Sequence, residues 1–152
     1  MSPVAYTNTN KQPLVLVVDD EAEVLGEVAT VLAGAGYVCQ CCNNADDAIR
    51  FAEANTPDLI LSDINLNGYS GLQMCEELKK QSHLREVPVM FLSGAQIPDI
   101  IRRSHAVGGA YYLRKPFDPE VLLELVDKAL WMPHLVHGHE QQAAEAALHA
   151  TQ

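Results

Sequence analysis

The sequence predicts an α/β fold, a three-layer sandwich in which the strands of a five-stranded parallel sheet alternate with five helices. Three observations predict it. Short β-type apolar runs alternate with segments of helical periodicity, five times along the chain. The run Leu59, Ile60, Leu61 is continuously apolar, as a strand covered on both faces should be. Charged groups also stand at the C-terminal ends of these runs: Asp19 and Asp20 after Leu14–Val18, Asp63 after 59–62, and Lys115 after 110–114. In an open parallel sheet those ends meet along one edge, where ligands bind.

Each element follows from local pattern. The first strand is Leu14–Val18, and the first helix spans about 21–35, with Val24, Leu25, Val28, Val31 and Leu32 on one stripe. That helix stops at Gly34, Ala35 and Gly36, a helix-end signal. A second strand over 37–42 precedes a helix that starts near Asn44 and ends before Pro57, with Asp46 and Asp47 in its first turn, where negative charge is favoured. The third strand covers 58–62. A loop through Asn65, Asn67, Gly68 and Tyr69 leads to Ser70, an N-cap for the third helix. The fourth strand covers 87–92, and Ser93 and Gly94 lead towards a fourth helix over roughly 98–106. The fifth strand covers 109–113. The fifth helix runs over 118–131, with Pro119 in its first turn and Val121, Leu122, Leu125, Val126 and Ala129 on its buried stripe. Residues 1–12 read as a polar, flexible extension, 13–131 as the domain, and 132–152 as a tail whose Ala, Gln and Glu content is compatible with part helix.

Composition narrows the function. The 48% apolar content supports a real core, and a formal charge of -10 argues against a nucleic-acid surface, which needs clustered Lys and Arg. It suits a protein that binds a cation or a basic partner. No apolar stretch approaches the roughly 18 residues of a membrane span, and the first residues lack a secretory leader pattern, so a cytoplasmic protein is expected. Cys39, Cys41, Cys42 and Cys75 lack zinc-ligand spacing and read as reduced structural thiols; His134, His137 and His139 read as solvated tail residues.

The converging groups have a definite chemistry. Asp19, Asp20 and Asp63 supply oxygen donors of the kind Mg²⁺ takes, and without a cation they repel one another. A carboxylate can attack phosphorus to give an aspartyl phosphate. The transferred group then needs its equatorial oxygens neutralised, a task open to the metal, the Lys115 ammonium and the Ser93 hydroxyl. Alone, Asp20 or Asp63 would more simply be a helix cap or a solvated strand end. The joint pattern weighs against that.

Four segments, Val17-Val18-Asp19-Asp20-Glu21, Ile60-Leu61-Ser62-Asp63-Ile64-Asn65, Phe91-Leu92-Ser93-Gly94-Ala95 and Tyr112-Leu113-Arg114-Lys115-Pro116-Phe117, lie in order on four strands. Together they resemble the signatures of two-component response regulator receiver domains, single-domain chemotaxis regulators included, over about 13–131. The resemblance implies a flavodoxin-like sheet of order 2-1-3-4-5. It implies Asp63 as phosphoacceptor, and Asp19, Asp20, Asp63 and the backbone carbonyl of Asn65 as the Mg²⁺ site, with Asp20 direct and Asp19 mainly through water. It implies Ser93 as switch hydroxyl, Tyr112 as the aromatic that turns inward on activation, Lys115 on the phosphoryl group, and a cis peptide at Pro116. Phosphate lifetime would be tuned at Asn65 and Ala95. One departure is Asn67, where the family often has proline; a less rigid loop is expected, with Gly68 and Gly71 at turn-compatible positions.

The implied function is a phosphorylation-activated signalling switch in a phosphorelay. A histidine kinase or phosphotransfer protein phosphorylates Asp63, and the face of the fourth helix, fifth strand and fifth helix then controls a downstream protein or a dimer contact. It is not an enzyme beyond self-catalysed phosphoryl transfer and autodephosphorylation. A receiver fragment of a longer multidomain regulator is the alternative. An Asp-nucleophile phosphohydrolase of the haloacid-dehalogenase type is disfavoured, because its second acid would stand at Asn65.

Overall fold

The structure is a computed structural model that describes residues 12–94 and 110–131. The extension over 1–11, Ala95, the expected helix over 98–106 and the tail with its three histidines lie outside the described residues. Five parallel strands form one sheet: β1 (Leu14–Val18), β2 (Val38–Cys42), β3 (Leu59–Asp63), β4 (Val89–Ser93) and β5 (Ala110–Arg114). Their order is β2-β1-β3-β4-β5, all neighbours parallel, which is the doubly wound arrangement expected. Four helices are described: α1 (Ala22–Gly34), α2 (Ala45–Ala54), α3 (Gly71–Leu78) and α4 (Pro119–Trp131).

Strand periodicity divides the core into two layers. Leu16, Val18, Ile60 and Phe91 point to one side, where they meet Ala48, Ala52, Met74 and Leu78 of α2 and α3. Val15, Val17, Leu61, Met90 and Leu92 point to the other, against Val28 and Leu32 of α1 and Leu122 and Val126 of α4. The central strands are therefore apolar throughout, as a sheet with both faces covered requires. β2 lies at the sheet edge and is largely exposed.

Local capping sets the helix starts. Asn44 Oδ1 accepts the Asp47 amide at 2.8 Å, Ser70 Oγ accepts that of Gln73 at 3.1 Å, and Asp118 Oδ1 accepts that of Glu120 at 2.8 Å. Glu21, the N-cap of α1, makes no side-chain cap; its own amide donates instead to Asp19 Oδ1 at 2.9 Å. Gly36 follows α1 at φ 94, the left-handed position its sequence announced.

Three strands lie one or two residues later than expected, which makes Asp63 and Ser93 the last residues of β3 and β4. The ladder explains it. Pro88 has no N–H and takes part only by accepting the Ile60 amide at 3.0 Å, so β4 begins at Val89. Asp58 lies outside β3 and uses a carboxylate oxygen to accept the Leu14 amide at 2.7 Å.

The segment after Asp63 is no open loop. Asn65–Leu66 pairs antiparallel with Tyr69–Ser70 as a two-residue ribbon. Its turn residues, Asn67 at φ 55 and Gly68 at φ 92, both have the positive φ that a type I′ hairpin needs, and Asn65 Oδ1 accepts the Gly68 amide at 3.0 Å. Asn67 thus has a conformation proline cannot adopt. Gly71 is not a turn glycine; it is the first residue of α3, packed against the end of β3.

Candidate functional site

The ends of β1, β3, β4 and β5 bring the chemistry-bearing residues together. Asp19 follows β1, is fully buried, and donates its amide to the Cys42 carbonyl at 3.1 Å. Asp63 closes β3 and is buried; its Oδ1 accepts the Asn65 amide at 3.1 Å. Ser93 closes β4 and is also buried. Its carbonyl accepts the Lys115 amide at 2.8 Å, which fixes where the lysine side chain leaves the backbone. The Lys115–Pro116 peptide is cis.

The Lys115 ammonium is the hub. Its Nζ lies 2.8 Å from Asp19 Oδ2, 2.9 Å from Glu21 Oε1 and 3.0 Å from Asp63 Oδ2. The bonds to Glu21 and Asp63 are aligned as hydrogen bonds, whereas the contact to Asp19 Oδ2 is an ion pair off the ideal direction. Asp19, Asp20, Glu21 and Asp63 each place a carboxylate oxygen within 4.8 Å of the others. Three of these four carboxylates pair with one ammonium.

The electrostatics follow from burial and this crowding. Burial pushes the Asp19 carboxyl above its ordinary value, and the nearby charge of Asp63 adds to that; the Lys115 ammonium and the Glu21 amide oppose it. Burial alone would lower Lys115, but Asp19, Glu21 and Asp63 together hold its proton more tightly than usual. The ammonium is therefore a permanent charge here.

The donor set consists of carboxylate oxygens without nitrogen or sulfur, which suits a hard divalent cation such as Mg²⁺ and not zinc. The thiols are elsewhere: Cys39, Cys41 and Cys42 line the edge strand β2, Cys75 is in α3, and all four are free. Burial raises all four, Cys39 to about 11 and Cys75 to about 12, so they are inert thiols and not metal-ready thiolates.

Tyr112 lies on β5 with its ring stacked on Phe91 of β4, centroids 5.7 Å apart and planes at 22°. Its hydroxyl is buried and has no hydrogen-bond partner among the described residues, and burial raises the phenol to about 12. Asn65 contributes its amide to Asp63 and its side chain to the ribbon turn.

Two participants escaped the sequence reading. Glu21 joins the acid group and grips Lys115; its signal was its place directly after Asp20. Gly71 packs on the backbone of Asp63, and only its position after the Ser70 cap hinted at that.

Comparison with known proteins agrees with this geometry. The response regulator receiver domain family pattern matches residues 15–127. The chain is 31% identical over 129 residues to the DNA-binding transcriptional regulator NtrC of Salmonella typhimurium, covering 85% of this chain and 26% of that protein. It is 34% identical over 109 residues to the phosphate regulon transcriptional regulatory protein PhoB of Pseudomonas aeruginosa, covering 72% of this chain and 48% of that one. The chain thus spans about half or less of these relatives. Among solved structures, the chemotaxis response regulator CheY4 of Vibrio cholerae superposes with a TM-score of 0.74 at 29% identity, covering 79% of this chain and 100% of that one. With its sheet order, acid group and lysine in place, the chain belongs to the response regulator receiver domain family.

Proposed function

We propose that the protein is a phosphorylation-driven switch whose acceptor is Asp63. The observation that carries this reading is the buried Asp63 carboxylate, 3.0 Å from an ammonium that is itself neutralised by two further acids. A histidine kinase or phosphotransfer protein supplies the phosphoryl group. An Asp63 carboxylate oxygen forms the new bond to phosphorus, and the bond to the donor nitrogen breaks with its electron pair leaving on that nitrogen. Lys115 neutralises one phosphoryl oxygen, and the Ser93 hydroxyl donates to another. Asp19, Asp20, Asp63 and the Asn65 carbonyl would hold Mg²⁺, which when bound neutralises charge on the phosphoryl oxygens. Asn65 and Ala95 tune hydrolysis of the acyl phosphate.

The change at Ser93 and Tyr112 reaches partners through a face that includes β5 and α4. Phosphorylation adds contacts there that the unmodified protein lacks, so it biases a two-state equilibrium and the affinity for a downstream protein or a second copy. A second reading, favoured by the partial coverage of NtrC and PhoB, has the same switch act on a further domain of one longer polypeptide. Either way the protein works in the cytoplasm; no helix among the described residues is long and apolar enough to cross a membrane. Incubation with acetyl phosphate and Mg²⁺ tests the reading. One phosphoryl group is expected by intact mass, and none on Asp63→Asn; a normally phosphorylated Asn variant overturns it.

A further inference from the structure

Of the chain's asparagines, only Asn67 is followed by glycine. Glycine has no Cβ, so its backbone nitrogen can approach a neighbouring side chain more closely than that of other residues. Both residues are exposed, at the tip of the ribbon that joins β3 to α3. Other asparagine side chains are tied down: that of Asn44 to Asp47, that of Asn55 to the Phe51 carbonyl. The Asn67 side chain makes no hydrogen bond among the described residues. Its amide carbon is thus an electrophile open to attack. The nucleophile beside it is restrained instead, because the Gly68 N–H donates to Asn65 Oδ1 at 3.0 Å.

We propose that Asn67 is a site of spontaneous deamidation and that the Asn65 side chain sets its rate. The Gly68 nitrogen gives up its proton and attacks Asn67 Cγ. The new N–C bond closes a five-membered succinimide, the Cγ–Nδ2 bond breaks, and the side-chain nitrogen leaves as ammonia with its electron pair and the proton. Water then opens the ring at either carbonyl and leaves aspartate or isoaspartate at this position. Asn65 Oδ1 opposes the first step, because that hydrogen bond stabilises the protonated nitrogen and has to break before attack. The two products differ in consequence. Aspartate tolerates positive φ as asparagine does, so the turn survives with one more negative charge. Isoaspartate adds a methylene to the main chain and takes Asn65–Leu66 out of register with Tyr69–Ser70. The Asn65 amide also donates to Asp63 Oδ1 at 3.1 Å, so this damage reaches the edge of the acid group.

The test incubates the full chain at mildly alkaline pH and locates the amide-to-acid mass gain by peptide sequencing. In wild type it is expected at Asn67 first. Asn65→Ala frees the Gly68 N–H and should deamidate roughly two- to tenfold faster, the factor one ordinary hydrogen bond supplies. Asn65→Asp keeps an acceptor in that place and should react no faster than wild type. In urea, where the turn is gone, wild type and Asn65→Ala should react at the same rate. A wild-type chain that reacts first at another asparagine overturns the site. Equal rates for the folded wild type and Asn65→Ala, an Asn65→Asp chain as fast as Asn65→Ala, or a difference that persists in urea overturns the role of Asn65.

Discussion

Gly71 stands so close to Asp63 that a Cβ added to it would lie 1.9 Å from the Asp63 carbonyl oxygen and 2.9 Å from Ser62 Oγ. The contact is fixed from both sides. The Gly71 amide donates to the Ile64 carbonyl at 2.6 Å, and Ser62 Oγ donates to the Asp63 carbonyl at 2.8 Å. The nearer neighbour is backbone and cannot swing away, and the Ser62 hydroxyl is tied to it by that hydrogen bond. Gly71→Ala must therefore move the start of α3 or the end of β3, and β3 carries Asp63, the proposed acceptor. We expect a loss of about 1–3 kcal/mol in urea unfolding, together with slower phosphorylation by acetyl phosphate. An alanine variant with wild-type values in both measurements would contradict the close approach.

Metal affinity should separate the two adjacent aspartates. Asp20 is exposed and free to turn towards a cation, whereas Asp19 is buried and already engaged by Lys115 and the Glu21 amide. Calorimetric titration with Mg²⁺ is expected to show a larger loss of affinity for Asp20→Ala than for Asp19→Ala. Equal losses would mean that both acids bind the metal directly.

The buried hydroxyl of Tyr112 has no partner among the described residues. Removing an unsatisfied buried polar group while keeping the ring costs nothing and relieves desolvation. Tyr112→Phe should thus unfold at the same urea concentration as wild type, or a higher one, by up to about 1 kcal/mol. Tyr112→Ala loses the stack on Phe91 and should be less stable by about 1–3 kcal/mol. Ser93→Ala should still be phosphorylated but should not pass the change to β5. NMR shift mapping with and without beryllofluoride reads this directly: shifts confined to the loops around Asp63 in wild type would remove β5 from the output face.

Tyr37 gives the fold an alkaline limit. Its hydroxyl donates to Asp127 and accepts the Trp131 indole N–H at 2.8 Å, so it ties the approach to β2 to the last turns of α4. Burial, reinforced by the Asp127 acceptor, raises the phenol from 10.0 to about 12. The folded state holds this proton more tightly than the unfolded chain. The resulting stability is complete below pH 10.0 and is lost as the pH rises through about 12. Tyr37→Phe should cost roughly 1 kcal/mol at neutral pH. The difference between wild type and variant in urea unfolding should shrink from pH 9 to 12, a comparison that cancels lysine titration; a constant difference would deny the shift.

The sheet was legible because its central strands are covered on both faces and so read as unbroken apolar runs, Leu59 to Leu61 above all. Their ends were not, because a ladder stops where backbone donors run out, and Pro88 decides that more than hydrophobicity does. The convergence of Asp19, Asp63, Ser93 and Lys115 could be read because each closes or directly follows a strand of its own. The Asn67-Gly68 pair is a strong hairpin signal that the missing proline overshadowed. Gly71 could not be read as a contact, since its constraint comes from a carbonyl eight positions earlier and not from its own φ. Tyr37 and Asp127 are 90 residues apart, a distance at which no periodicity speaks.

Past the last paired side chains, the sheet continues as backbone rungs: Asp19 to Cys42 at 3.1 Å, Ile64 to Leu92 at 3.1 Å and Lys115 to Ser93 at 2.8 Å. Each rung lies at or next to a residue of the site, so the acids, the serine and the lysine hang from a truss whose joints are peptide bonds. The freedom left at the site lies in side-chain torsions, those of the Lys115 stem and the Glu21 arm among them, while the frame that carries them is joined through the main chain.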